Sequence, residues 1–362
     1  MRMWPFGRSP LKRILFYSKS PMNYAMFHRV AEILRRDDRI GLDIYAEDGR
    51  QKDVQSQFRS SGIITESFPT SLEAKWRRYD LYLSADITLF NRRATKKAHI
   101  FHGISFKGKA YTEHIKKYDK AFLIGPYQRR QFVDRGILAP DDARMLDIGM
   151  PKIDPLVNGE IDREEVLRKL GLDPQKPVVL YAPTWRKESS LNTMGEPLID
   201  TVAAMEDVQL IVKIHDLSYN PATNRKDWAA VFREKQVAGT RAKFVHYGDI
   251  TPLLAAADLL ISDASSTANE FLLCDRPVIF MDVPLLIEKY RDSVDLETWG
   301  RKTGVVVEQP EQLPETIRAE LAAPARLSEI RRAAAADYFY NPGHATLASV
   351  RAIYNLLELP QP

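Results

Sequence analysis

The sequence predicts an α/β protein of two domains, each built on a parallel sheet. Short apolar runs alternate with stretches of helical spacing along the whole chain, the pattern of strands covered on both faces by helices. The length of 362 residues suits about two folding units. A segment punctuated by Pro and Gly, Gly149-Met150-Pro151-Lys152-Ile153-Asp154-Pro155, separates two halves of the same rhythm.

Residues 13–18 read as the opening strand, an apolar run that ends in polar residues. Residues 25–36 place Met26, Val30, Ile33 and Leu34 on one helical face. Strands are expected at 42–45, 81–83, 99–101 and 120–124, the last followed by a helix from 126 to about 135. Beyond the Pro/Gly segment a helix is expected at 163–170. Strands follow at 177–181, 210–214, 243–245, 259–262, 277–280 and 304–307, with a helix at 250–257. Residues 346–359 read as an amphipathic helix. Residues 1–154 and 155–340 are thus the expected domains, with 341–362 a C-terminal helix that packs back on the first.

Composition excludes several classes. Hydrophobic residues make up 44% and charged residues 28%, as in an ordinary globular protein. The single cysteine, Cys274, cannot form an intrachain disulfide and is expected as a core thiol after Phe271-Leu272-Leu273. No run of about 18 apolar residues occurs, and the first residues lack the pattern of a signal peptide. The cytoplasm is the expected compartment.

The net charge of +4 is unevenly spread: residues 1–20 and 87–112 carry Lys and Arg but no acid. With Trp4 and Phe6, such stretches suit an anionic membrane surface and a peripheral place on its inner face. A nucleic-acid partner is not expected, because no RNA- or DNA-binding motif is present.

The chemistry is expected at strand ends, where parallel sheets bind ligands. The run 259–262 leads into Asp263, Ala264, Ser265, Ser266 and Thr267, then a helix with Glu270. Hydroxyls at a helix start serve as phosphate ligands or as a plain N-cap. His102-Gly103 ends another run: a histidine suits a general base, Gly103 permits close approach, and Ser105 and Lys107 follow. Thr184 and Arg186 end a third, and Lys213 and His215 a fourth. Lys213 and His215 fall on one side of their strand, where side chains alternate. Each pattern is weak alone, and their recurrence at one topological position carries the reading.

In their order these segments resemble the CDP-glycerol glycerophosphotransferase family, the teichoic-acid and capsule polymerases and primases. The resemblance rests on His102-Gly103-Ile104-Ser105-Phe106-Lys107, Tyr181 through Arg186, Lys213-Ile214-His215 and Ser262 through Phe271. Arg276 through Phe280, Lys289 through Asp292, and Gly149 through Asp154 also fit. Ser105 stands where Pro is common, Ala264 where Tyr is usual, and Asn341-Pro342-Gly343-His344 where Asp-Gly is usual.

The resemblance implies a GT-B architecture, two Rossmann-like domains with parallel sheets facing a central cleft. It implies an acceptor-binding N-terminal domain and a nucleotide-donor-binding C-terminal one. A CDP-linked donor would pass glycerol phosphate, or a related polyol phosphate, to a lipid-linked or polymeric acceptor. His102 would deprotonate the acceptor hydroxyl, near Gly103, Ser105 and Lys107, and His215 would meet the pyrophosphate. Thr184, Arg186, Lys213, Ser265, Ser266 and Thr267 would hold the donor, and Glu270 its ribose. No Asp-x-Asp occurs, and Mg²⁺ stays open. A sugar-nucleotide transferase and a UDP-sugar 2-epimerase are the alternatives on the same fold.

Overall fold

The structure is a computed structural model. It describes residues 11–18, 21–46, 69–86, 88–104, 110–220, 224, 226–246, 248–291, 295–296 and 300–361. Its described residues form two compact units, one from Met1–Gly103, Ala110–Asp154 and Phe339–Pro362, the other from Ile104–Lys109 and Pro155–Tyr338.

The first unit holds β1 (Lys12–Ser18), β2 (Ile40–Ala46), β3 (Leu81–Ser84), β4 (Lys96–Ile100), β5 (Lys120–Leu123) and β6 (Met145–Asp147). All pair in parallel, in the order β2-β1-β3-β4-β5-β6. Its helices include α1 (Pro21–Leu34), α2 (Ser71–Trp76) and α3 (Pro126–Asp134). Ile14, Leu15, Phe16 and Tyr17 are consecutive and fully buried, so both faces of β1 are covered.

Several elements differ from the sequence reading. Helix α1 starts at Pro21 rather than 25, because proline in the first turn gives up an N–H that lacks a helical partner anyway. Strand β4 starts at Lys96, where two charged residues pair with Leu81 and Tyr82 of β3 and disguise the strand. Strand β6 was not anticipated: it is three residues long, too short to show a period, and lies at the sheet edge.

A short helix α4 (Asp154–Val157) leads to α5 (Arg163–Leu170), which has the predicted bounds. Its ends are locally encoded: the Asp162 side chain accepts the Glu165 N–H, and Gly171 closes it at φ 66°. The second sheet holds β7 (Val178–Tyr181), β8 (Gln209–Val212), β9 (Lys243–Phe244), β10 (Leu259–Ser262), β11 (Val278–Met281) and β12 (Val305–Val307). Its helices include α6 (Ser190–Ala203), α7 (Trp228–Val237), α8 (Thr251–Ala256), α9 (Ser266–Phe271), α10 (Pro284–Lys289), α11 (Leu313–Ala322) and α12 (Ser328–Tyr338). Val179, Tyr181, Leu210, Val212 and Ile261 meet Leu198, Val202, Trp228 and Ile317 in one apolar core.

The parallel order of this sheet, β12-β11-β10-β7-β8-β9, positions the site. From β7 the chain winds outward through β8 and β9, then returns to place β10 on the other side of β7. The connections after β7 and β10 therefore leave in opposite directions, and a crevice opens at their carboxyl ends.

The last helix, α13 (Ala345–Leu356), belongs to the first unit. The Asp154 carboxylate caps it, accepting the N–H groups of Ala345 at 3.2 Å and Thr346 at 2.7 Å. Gly149, at φ 98°, is passed so closely that a Cβ there would lie 2.1 Å from the Tyr340 carbonyl oxygen. At the helix's far end Tyr354 donates to Asp37 at 2.5 Å. The Pro/Gly segment thus fastens the tail as well as ending the first sheet.

Candidate active site

Three of the four predicted segments end adjacent strands. Ser265–Thr267 follow β10, Thr184 and Arg186 follow β7, and Lys213 and His215 follow β8. The ladder runs slightly past the strands: Ala182 donates to the Ile261 carbonyl at 2.9 Å and Lys213 to the Tyr181 carbonyl at 3.0 Å. Their ends are therefore level, and the crevice between β7 and β10 has Arg186 on one side and the hydroxyl run on the other.

Asp263 organises this crevice, a role the sequence reading missed. It is 2% exposed, and its carboxylate accepts the Thr184 N–H at 2.7 Å, the Ser190 N–H at 2.9 Å and the Ser190 hydroxyl at 2.8 Å. One acid at the end of β10 thus sets both the turn after β7 and the start of α6. The signal available in the sequence was an acid directly after a buried strand.

The residues around this crevice differ in their freedom. Arg186 stacks on the neighbouring Trp185 ring, 3.8 Å from its centroid, and lies 5.7 Å from the Tyr290 centroid. Its buried Nε has no hydrogen-bond partner among the described residues. Stacking holds the guanidinium plane and leaves its N–H edge for oxygen acceptors. Lys213 is 6% exposed, with Asp216 at 3.4 Å. Beside Arg186, Lys289 pairs with Glu188 at 2.6 Å. Burial works to raise the Glu188 carboxyl, but the Lys289 ammonium, a backbone hydrogen bond and the Arg186 charge together hold it below its usual value.

Ser265 is the N-cap of α9, its hydroxyl accepting the Thr267 N–H at 3.4 Å, while Ser266 is exposed. The capping role weighed in the sequence is therefore present, and the crevice rather than the short helix gives these hydroxyls their significance. Glu270 and Asn269 on α9 are 4% and 5% exposed, and the Asn269 amide nitrogen has no partner among the described residues. Ala264 packs against Val283, Leu286 and Tyr290.

The two histidines are held as opposite tautomers. His215 Nδ1 accepts the Leu217 N–H at 3.1 Å, so in the neutral ring the proton sits on Nε2, a donor. His102, exposed after β4 in the first unit, has Nδ1 2.8 Å from the Ala85 carbonyl oxygen. A carbonyl only accepts, so Nδ1 carries the proton and Nε2 keeps a lone pair. One ring is prepared to give a hydrogen bond and the other to take a proton. Gly103 follows His102, half-exposed; Ser105 and Lys107 lie outside the described residues.

Cys274 is half-buried, its Sγ 3.8 Å from the Leu254 carbonyl, and burial pushes its thiol up to about 11. It is an inert thiol. Among the described residues no three His, Cys, Asp or Glu side chains are grouped to hold a metal ion.

Known proteins supply an independent comparison. Residues 82–353 match the model of a family described as CDP-glycerol:poly(glycerophosphate) glycerophosphotransferase. The chain is 27% identical over 180 residues to the teichoic acid poly(glycerol phosphate) polymerase of Staphylococcus epidermidis, covering 47% of this chain and 23% of that protein. It is 26% identical over 172 residues to the teichoic acid glycerol-phosphate primase of Bacillus spizizenii, covering 47% and 39%. The chain thus spans well under half the length of these curated relatives. Among solved structures, a variant of the wall teichoic acid polymerase TagF soaked with CDPG superimposes with a TM-score of 0.69 at 16% identity, over 96% of this chain and 88% of that one. That likeness carries the GT-B fold.

Proposed function

Because this chain belongs to the CDP-glycerol:poly(glycerophosphate) glycerophosphotransferase family, we propose that it transfers glycerol phosphate from CDP-glycerol to a hydroxyl of a lipid-linked or polymeric acceptor. The observation that carries this is the crevice between β7 and β10, where Arg186, a stacked cation whose buried Nε has no hydrogen-bond partner among the described residues, shares a sheet edge with Lys213, the His215 Nε2–H and the hydroxyls of Ser265–Thr267. Such a set suits a pyrophosphate.

In the proposed reaction the acceptor oxygen bonds to the distal phosphorus of the donor. The bond from that phosphorus to the bridging oxygen breaks, and CMP leaves. His102 Nε2 takes the hydroxyl proton. The His215 Nε2–H and Arg186 meet charge on the departing phosphate, and such electrostatic stabilisation is the main demand of phosphoryl transfer. The residues that would hold the donor all lie in the second unit, with Glu270 toward the ribose. Incubation with CDP-glycerol and a lipid-linked acceptor is expected to release CMP. Interconversion of a UDP-sugar without any acceptor, and no CMP, would overturn the reading.

The same chemistry calls for an acceptor at a membrane surface. None of the described helices is long and apolar enough to cross a membrane. A surface contact is supported by α2, which exposes Leu72 (71%) and Trp76 (56%). They are four residues apart, on one helical face. Lys75 lies over the Trp76 ring, and Arg78 is exposed beside it. The Asn91 amide donates to the Ala74 and Arg77 carbonyls and so ties the exposed Arg92 and Arg93 to this helix. Apolar tips rimmed by cations fit an anionic bilayer surface.

Replacing Arg92 and Arg93 together by Ser is expected to weaken sedimentation with phosphatidylglycerol vesicles at low salt by about 2 kcal/mol, near 1 per cation. Unchanged binding there and in Trp76→Ser would move the contact elsewhere. The basic segment around Trp4 and Phe6 lies outside the described residues.

A further inference from the structure

Arg186 and His215 stand in connections that follow the adjacent strands β7 and β8, and two side-chain amides tie those connections together. The backbone ladder between the strands reaches the Lys213 N–H on the Tyr181 carbonyl at 3.0 Å. Beyond it, the Asn192 amide on α6 donates to the Arg186 carbonyl at 3.0 Å and to Asn224 Oδ1 at 2.9 Å. The Asn224 amide donates in turn to the carbonyls of Leu217 at 3.2 Å and Ser218 at 2.8 Å. Leu217 and Ser218 are the residues that hold His215. The Leu217 N–H meets its Nδ1, and the Ser218 N–H meets its carbonyl at 2.7 Å. A continuous path of hydrogen bonds thus runs from the Arg186 backbone to the His215 ring.

The orientation of both amides is dictated by their neighbours. An indole N–H only donates and a carbonyl only accepts. Trp228 Nε1 lies 3.1 Å from Asn192 Oδ1, so the Asn192 NH₂ faces Arg186 and Asn224. Asn224 has two carbonyls at its NH₂ and therefore presents its oxygen to Asn192. The path is anchored in the core, because Trp228 is 1% exposed and packs in the apolar cluster of this unit. Asn224 is itself buried, where an amide must be fully paired. The rings of the site are neighbours as well: Trp185, on which Arg186 stacks, lies 6.2 Å from the His215 ring. A turn can be closed by its own backbone. These amides instead join two turns, and each of the two carries a group aimed at the crevice.

We propose that Asn192 and Asn224 are positioning residues that fix the spacing of Arg186 and His215 for the donor's pyrophosphate. The proposal rests on the reading of those two side chains as pyrophosphate ligands. Such ligands must be held close to their productive geometry, and a displacement of about 1 Å can cost about 100-fold in rate.

The test uses the full chain with Asn192→Ala and Asn224→Ala, each alone and on a background that carries both Arg186→Ala and His215→Ala. The readouts are kcat/KM for CMP release from CDP-glycerol, the affinity for CDP by calorimetry, and the ¹⁵N NMR signature of the His215 ring. Each asparagine variant alone is expected to lower kcat/KM about 10- to 100-fold and to weaken CDP binding. On the double background the further loss of CDP affinity should nearly vanish, because groups that act through one another are not additive. Asn224→Ala should also replace the single Nε2–H tautomer of His215 by a mixture of the two. Asn224→Ala leaves Asn192 on Trp228, so it carries the test if Asn192→Ala does not fold. A fall in melting temperature alone, with kcat/KM, CDP affinity and tautomer unchanged, overturns the proposal. So does a loss of CDP affinity that persists in full on the double background. If the wild-type chain neither binds CDP nor releases CMP, the parent reading fails instead, and the His215 signature still reports whether Asn224 holds the ring.

Discussion

Replacing His102 by Ala is expected to lower CMP release by about 10²- to 10⁴-fold, the usual contribution of a positioned general base. The CDP-glycerol-dependent thermal shift should stay unchanged, because the donor contacts proposed here all lie in the second unit. The side chain is exposed, and among the described residues its hydrogen bond goes to the Ala85 carbonyl, so the fold should survive its removal. An acceptor hydroxyl is a poor nucleophile until its proton has somewhere to go, and His102 Nε2 is the lone pair on offer. Full activity in His102→Ala would remove the base from the mechanism while leaving the donor site standing.

The second large effect is expected at Asp263. Truncation to Ala strands the Thr184 and Ser190 N–H groups in a buried setting and leaves the Ser190 hydroxyl to the Tyr181 hydroxyl. Stability should fall by about 2–5 kcal/mol, at about 1–3 kcal/mol for each buried donor left unsatisfied. Chemical denaturation against wild type measures it. Asp263→Asn is the sharper probe. Both carboxylate oxygens accept backbone N–H groups, so either orientation of the amide turns its NH₂ toward a donor. A loss well under 1 kcal/mol in both variants would mean that the turn after β7 and the start of α6 do not depend on this carboxylate.

Much of the architecture was readable because it is written locally. The helix at 163–170 carries its own cap at Asp162 and its own stop at Gly171, and it has the predicted bounds. The β10 range was equally plain, since four buried residues stand between Asp258 and the polar run. Strand β4 was read short because Lys96 and Lys97 hide their backbone pairing behind charged side chains. Strand β6 was invisible because three residues show no period.

The α/β rhythm, the order of the motifs and their position at strand ends could be read along the chain alone. All of these follow from hydrophobic periodicity within a few residues. Only the tertiary structure decided which strands are neighbours, and hence that β7 and β10 open the crevice between Arg186 and Ser265. The physical reason is that strands pair through backbone groups, which carry no residue identity, across long separations. Thr184 and Asp263 meet 79 residues apart. The tautomers of His102 and His215 were settled in the same way: the residue type offers either proton position, and the backbone carbonyl or N–H that the fold brings to Nδ1 selects one.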